Sequence, residues 1–159
     1  MKLLYKDEER LVFSLGGSER ETLLRLLGTR RHLPLKPRKL SNQGSPKTLQ
    51  EAAEDLHTAS DRHQTEIFQT LSSWLENPSQ CVPEKVGHTF TLARGQMELV
   101  LQAINGIRIA AWEKMGAPDM EENFPEHTPL NEACIAIIQV TDRLLAQLLR
   151  SLEEKGEPS

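Results

Sequence analysis

The sequence predicts a mainly α fold: a helical bundle of three long helices and one short one, with a small N-terminal β-hairpin. Three observations lead there. Aromatic residues make up only 4% of the 159, so the core must be mostly Leu, Ile, Val and Ala, a mixture that favours helices over a sandwich of sheets. Long stretches repeat apolar residues at helical spacing. Between them stand capping residues, prolines and glycines that read as starts and stops.

Residues 1–15 read as the hairpin. In KLLYKDEERLVFSL, Leu3 and Tyr5 alternate with polar or opposite-face neighbours, as do Leu11, Phe13 and Leu15, and Asp7-Glu8-Glu9 makes the turn. Two strands alone are marginal in water, so their apolar face must rest on helices. Gly16-Gly17 breaks the strand. Ser18 and Glu21 then form a capping box for a short helix over 18–28, which buries Leu23, Leu24 and Leu27. Gly28 is placed to end it. Residues 29–47 read as a long exposed loop, punctuated by Pro34, Pro37, Gly44 and Pro46. This loop holds Arg30, Arg31, Lys36, Arg38, Lys39 and Lys47 and no acidic residue.

Thr48 and Glu51 cap a second helix over 48–76. Its inner face holds Ala53, Leu56, Ile67, Phe68, Leu71, Trp74 and Leu75. His57, Ser60 and Gln64 share that face, which leaves a kink near 58–62 open. A third helix is expected over 83–115, with Phe90, Ala93, Met97, Val100, Leu101, Ile104, Ile107, Ala111 and Met115 on one side. A fourth is expected over 129–155, with Thr128 as N-cap and Pro129 at the first helical position. Leu130, Ala133, Cys134, Ile137, Ile138, Leu144, Leu145, Leu148 and Leu152 form its apolar face, and Gly156 closes it. The Pro-rich acidic stretch GAPDMEENFPEHT joins the last two helices.

The length of 1–159 suits a single domain. A chain of this size hides roughly 70% of its unfolded surface without needing a disulfide or metal. Its net charge of -4 gives no overall attraction to nucleic acid. Cys81 and Cys134 stand alone and read as free thiols in a reducing cytoplasm. The first apolar run stops at Tyr5, well short of the about 7–15 residues of a signal peptide or the about 20 of a membrane span. A cytoplasmic protein without a membrane partner is therefore expected.

Arg108 is the anomaly. It falls inside the apolar arc of the third helix, beside Ile104 and Met115, with Asn105 and Trp112 on one edge. A buried guanidinium must be paired and hydrogen-bonded. Asp142 on the fourth helix and Asp61 on the second are candidate ion-pair partners, as are main-chain carbonyls. The expectation is a buried structural arginine pinning helices together. Two other readings are an arginine facing a groove that receives a partner's carboxylate, with Asn105, Arg108 and Trp112 as the binding residues, and an arginine reaching solvent along its stem. Gly106 lies on another side with Leu99, Ala103 and Ala110, a stripe small enough for a helix to come close.

The chemistry-bearing residues form no catalytic set. Glu54 and His57 fit Glu-x-x-His, but a di-iron bundle needs two such motifs and two further Glu residues. His32, His57, His63, His88 and His127 show no zinc spacing. Ser18 lacks a nucleophile elbow, Gly16-Gly17 lacks a Walker pattern, and Cys134 faces the core. No enzyme, cofactor or metal is expected.

Three segments carry a resemblance: LVFSLGGSERETLLRLL after the first strand, ELVLQAINGIRIAAWEKMG, and IAIIQVTDRLLAQLLRSL. Together they resemble an uncharacterised all-helical bacterial family best known from actinobacteria, with an Asn-x-x-Arg matched by Asn105 and Arg108. Residues 29–66 depart from that pattern. Genes of the family commonly lie beside that for ClpS, the adaptor that feeds the Clp protease. The resemblance implies a place near regulated proteolysis; some members are labelled transcriptional regulators.

The function expected is a non-catalytic protein-interaction module, an accessory or regulatory factor tied to proteolysis by the resemblance alone. The alternative is a DNA-associated regulator using 30–47. It is weakened because no aromatic is interleaved for base stacking. A metal-dependent helical enzyme is a more distant reading. The basic loop could instead dock on the acidic residues 119–126 of a second copy, making a homodimer.

Overall fold

The computed structural model describes residues 1–29 and 47–153. Two strands, β1 (Lys2–Lys6) and β2 (Arg10–Leu15), lead into α1 (Glu19–Thr29). After α2 (Lys47–Glu76) come β3 (Cys81–Pro83) and β4 (His88–Ala93), then α3 (Gln96–Lys114) and α4 (Pro129–Glu153). The strands form one antiparallel sheet in the order β1-β2-β4-β3.

This corrects the expected bundle with a lone hairpin. Among the described residues the fold is α plus β, with four helices and a four-stranded sheet. The helix expected over 83–115 is in its first part a second hairpin, and α3 begins only at Gln96. Phe90, Ala93 and Met97 fit a helical period. Yet Thr89-Phe90-Thr91-Leu92 also alternates with period two, and its threonines favour a strand. Pairing decides. β4 lies beside β2 with Phe13 opposite Phe90 and Leu11 opposite Leu92, and all four side chains are buried. Each such side chain contributes roughly 1.5–3 kcal/mol when fully buried, more than a local helical preference offers.

The turns have local causes. Asp7 Oδ1 accepts the N–H groups of Glu9 at 2.9 Å and Arg10 at 2.7 Å, closing the first hairpin. Arg10 lies 5.4 Å from the Tyr5 ring centre. In the second hairpin Gly87 takes φ 86°, and Glu84 N–H donates to its carbonyl at 3.0 Å. A Cβ at Gly87 would lie 2.0 Å from the Leu15 carbonyl oxygen, so the neighbouring chain leaves room for glycine alone. In β1 the register slips between Leu3 and Tyr5.

The entry to α1 differs from the expected cap. Glu19, not Glu21, reaches back: its Oε2 accepts the Gly16 N–H and its Oε1 accepts the Met1 ammonium. Glu21 instead pairs with Arg25 at 3.4 Å on the surface. Gly28 lies within α1, which runs on to Thr29. At α4, Asn131 N–H donates to Thr128 Oγ1 at 3.2 Å, and Pro129 opens the helix. α2 is continuous, with no break at 58–62. Gly156 lies outside the described residues.

α3 is the central helix, buried at Met97, Val100, Ala103, Ile104, Ile107, Ala110 and Ala111. On one flank Gly106 lets α2 approach, since a Cβ there would lie 2.4 Å from Gln64 Oε1 and 3.3 Å from Phe68. α2 and α3 run antiparallel: Gln64 and Phe68 of α2 lie against Gly106 in the middle of α3, while Gln80, in the turn after α2, donates to Gln96 at the start of α3 at 3.3 Å. On the other flank lies α4, whose far end is tied to β1 by Lys6 Nζ donating to the Leu152 carbonyl. Thr141 is the buried polar residue of α4, and its hydroxyl is spent on the carbonyls of Ile137 and Ile138.

Candidate functional site

Between its two neighbours α3 keeps an open strip. Gly106 marks the α2 side, Arg108 marks the α4 side, and Asn105 and Ile109 lie exposed between them. The helical wheel requires this: at 100° per residue, 98, 102, 105 and 109 share one face, and all four are exposed.

Arg108 Nε donates to Asp142 Oδ1 at 2.5 Å. Of the two carboxylates expected to serve, Asp142 supplies the partner, and Asp61 is half-buried on α2. The expected burial is overturned. The Arg108 side chain is 43% exposed and that of Asp142 50%. The sequence left the fourth and second helices open as the side Arg108 faces; it faces α4, and the α3–α4 seam opens to solvent at that height. Trp112, one turn on, is half-buried and donates its indole N–H to the Pro118 carbonyl at 3.0 Å. Asn105, Arg108 and Trp112 thus border the strip together, and Ile109, 39% exposed, completes it. Sequence reasoning passed over Ile109, because its apolar side chain lies off the expected core arc.

A second exposed surface is the N-terminal part of α2. Its buried residues are Ile67, Phe68, Leu71 and Leu75, and none from Lys47 to Glu66 is buried. Leu56, assigned to the inner face from spacing, is 72% exposed, and Leu49 is 54% exposed. The acidic loop expected between the last helices exposes Met120, Phe124, Asp119, Glu121, Glu122 and Glu126.

The basic residues Arg30, Arg31, Lys36, Arg38 and Lys39 lie outside the described residues, and Lys47 begins α2. Glu54 is exposed and His57 half-buried. Among the described residues no three His, Cys, Asp or Glu side chains gather as a metal-binding group. Cys81 and Cys134 are free and buried. Burial pushes both thiols up, against weaker opposing pulls from Arg20 at Cys81 and Lys114 at Cys134. A raised thiol is a poor nucleophile at neutral pH. No described helix is long and apolar enough to cross a membrane.

The chain matches no family model, no curated protein and no solved structure.

Proposed function

We propose that the protein is a non-catalytic protein-interaction module whose partner docks along the N-terminal part of α2. The observation that carries this reading is Leu56, 72% exposed on a helix that buries nothing from Lys47 to Glu66. Helices in proteins owe most of their stability to packing of an apolar face. Large apolar side chains left exposed on such a helix suit contact with a partner, and Leu49 and Leu56 are two of them. A connection with regulated proteolysis is part of the proposal and rests on the family resemblance.

The test is affinity capture of the tagged chain from lysate after nuclease treatment, compared with the variant Leu49→Asp/Leu56→Asp. Both sites are exposed, so the variant should keep its fold by circular dichroism. The reading requires a defined protein that the wild type retains and the variant loses; a Clp component among such proteins would support the proteolysis link. Equal capture by both chains would refute the α2 surface. A catch that appears only when the nuclease is omitted would favour a nucleic-acid role instead.

A further inference from the structure

Arg108 is held by one edge of its guanidinium. Nε is spent on Asp142, and among the described residues its two Nη groups have no partner. A guanidinium carries five N–H donors in a flat fork, and the outer edge matches a carboxylate with two parallel bonds. Asp142 fixes the direction in which that edge points, which makes it a positioning residue. Trp112 is anchored beside it through Pro118. Asn105 offers an exposed amide one turn before, and Ile109 an apolar edge. The site suits a monoanion rather than a phosphate dianion, because the Arg108 cation already sits beside Asp142.

The chain itself carries a segment of matching chemistry. Residues 119–126 expose Asp119, Glu121, Glu122 and Glu126 together with Met120, 37% exposed, and Phe124, 58% exposed. The loop follows directly from the end of α3. Two copies of α3 packed antiparallel about a two-fold axis near its C-terminal end would lay each loop over the other copy's Arg108. Two-fold interfaces are self-complementary in this way. The geometry points to a homodimer in which the strip Asn105–Arg108–Ile109 of one copy receives a carboxylate and Phe124 of the partner's 119–126 loop. This surface is distinct from the α2 surface assigned above, so either can fail without the other.

Sedimentation velocity of the full chain over roughly 1–100 µM, the range of moderate protein affinities, tests it. The expected result is a monomer–dimer equilibrium that weakens at least ~10-fold in Glu121→Arg/Glu122→Arg, a variant confined to an exposed loop, and likewise in Arg108→Glu. Mixing the two variants should restore the dimer, since each mixed contact again pairs opposite charges. A monomer throughout the range overturns the proposal. So does a dimer indifferent to both variants, or a failure of the mixture to reassociate while each variant remains folded.

Discussion

Gly106 of α3 lies against Gln64 of α2, so close that a methyl group at Gly106 would come within 2.4 Å of Gln64 Oε1. That oxygen is buried and accepts no hydrogen bond from a described residue. The α2–α3 contact therefore combines a missing side chain with an unsatisfied acceptor.

Gly106→Ala should change stability by no more than about 1 kcal/mol, because the helical gain of alanine offsets the displacement of Gln64. In a Gln64→Ala background the same substitution should stabilise by about 1 kcal/mol, since obstruction and orphan acceptor are both gone. Urea denaturation of the four chains gives the coupling. Strict additivity would show that the two residues do not touch.

Gly87→Ala should be much worse. The backbone at Gly87 has φ 86°, and the obstructing atom is the Leu15 carbonyl oxygen, which cannot rotate away. A loss of roughly 2–4 kcal/mol is expected from backbone strain and overpacking together. A thermal midpoint close to that of the wild type would mean that the second hairpin is not paired to β2 as described.

Acid should weaken the molecule through Glu19. Burial pushes its carboxyl up, but the bond from the Met1 ammonium, the Gly16 N–H and the ammonium's charge outweigh it and hold it below the ordinary 4.5. A carboxyl depressed in the folded state contributes stability that is fully present above its unfolded value and is lost as pH falls through the folded one. Stability should thus fall below pH 4.5, and Glu19→Gln should be less stable at neutral pH and flatter in acid. Parallel acid profiles for both chains would remove Glu19 from the account.

The Arg108–Asp142 pair should contribute little to the monomer. Both partners are about half exposed, and such pairs are worth about 0–1 kcal/mol. A double-mutant cycle with Arg108→Met and Asp142→Asn, read by urea denaturation at dilution, should give a coupling in that range. A coupling of about 3 kcal/mol would mean that the pair is buried. Arg108→Met should be tolerated better than Arg108→Ala, because its aliphatic stem packs at the seam.

The two cysteines should react with an aromatic disulfide reagent only after denaturation. Cys81 is 3% exposed and Cys134 1%, and burial holds both thiols up. Fast labelling of the native chain would mean local opening of β3 or of the start of α4.

Part of this architecture was legible in the residues. The first hairpin shows because its alternation has no competing helical reading. The start of α4 shows because Thr128 and Pro129 each have a single local use. β4 escaped because Phe90 serves two periods, the helical one with Ala93 and Met97 and the alternating one with Leu92, and only the pairing with Phe13 and Leu11 separates them. At the candidate site, the wheel named Asp142 as one of two candidate carboxylates for Arg108 without choosing between them. It could not give depth, because periodicity assigns a direction but not the height at which two helices part. Leu56 misled for the same reason: its direction was apolar, but α3 ends at Lys114 while α2 continues past it.

The margins of the sheet carry a consequence for how this molecule meets others. β1 is flanked by Lys2 and Lys6 and slips register midway. β3 spans three residues and ends at Pro83, which has no N–H to offer. Charges, register faults, short strands and proline all discourage templating of one chain by another. Both borders of the sheet thereby discourage strand-by-strand, amyloid-like growth.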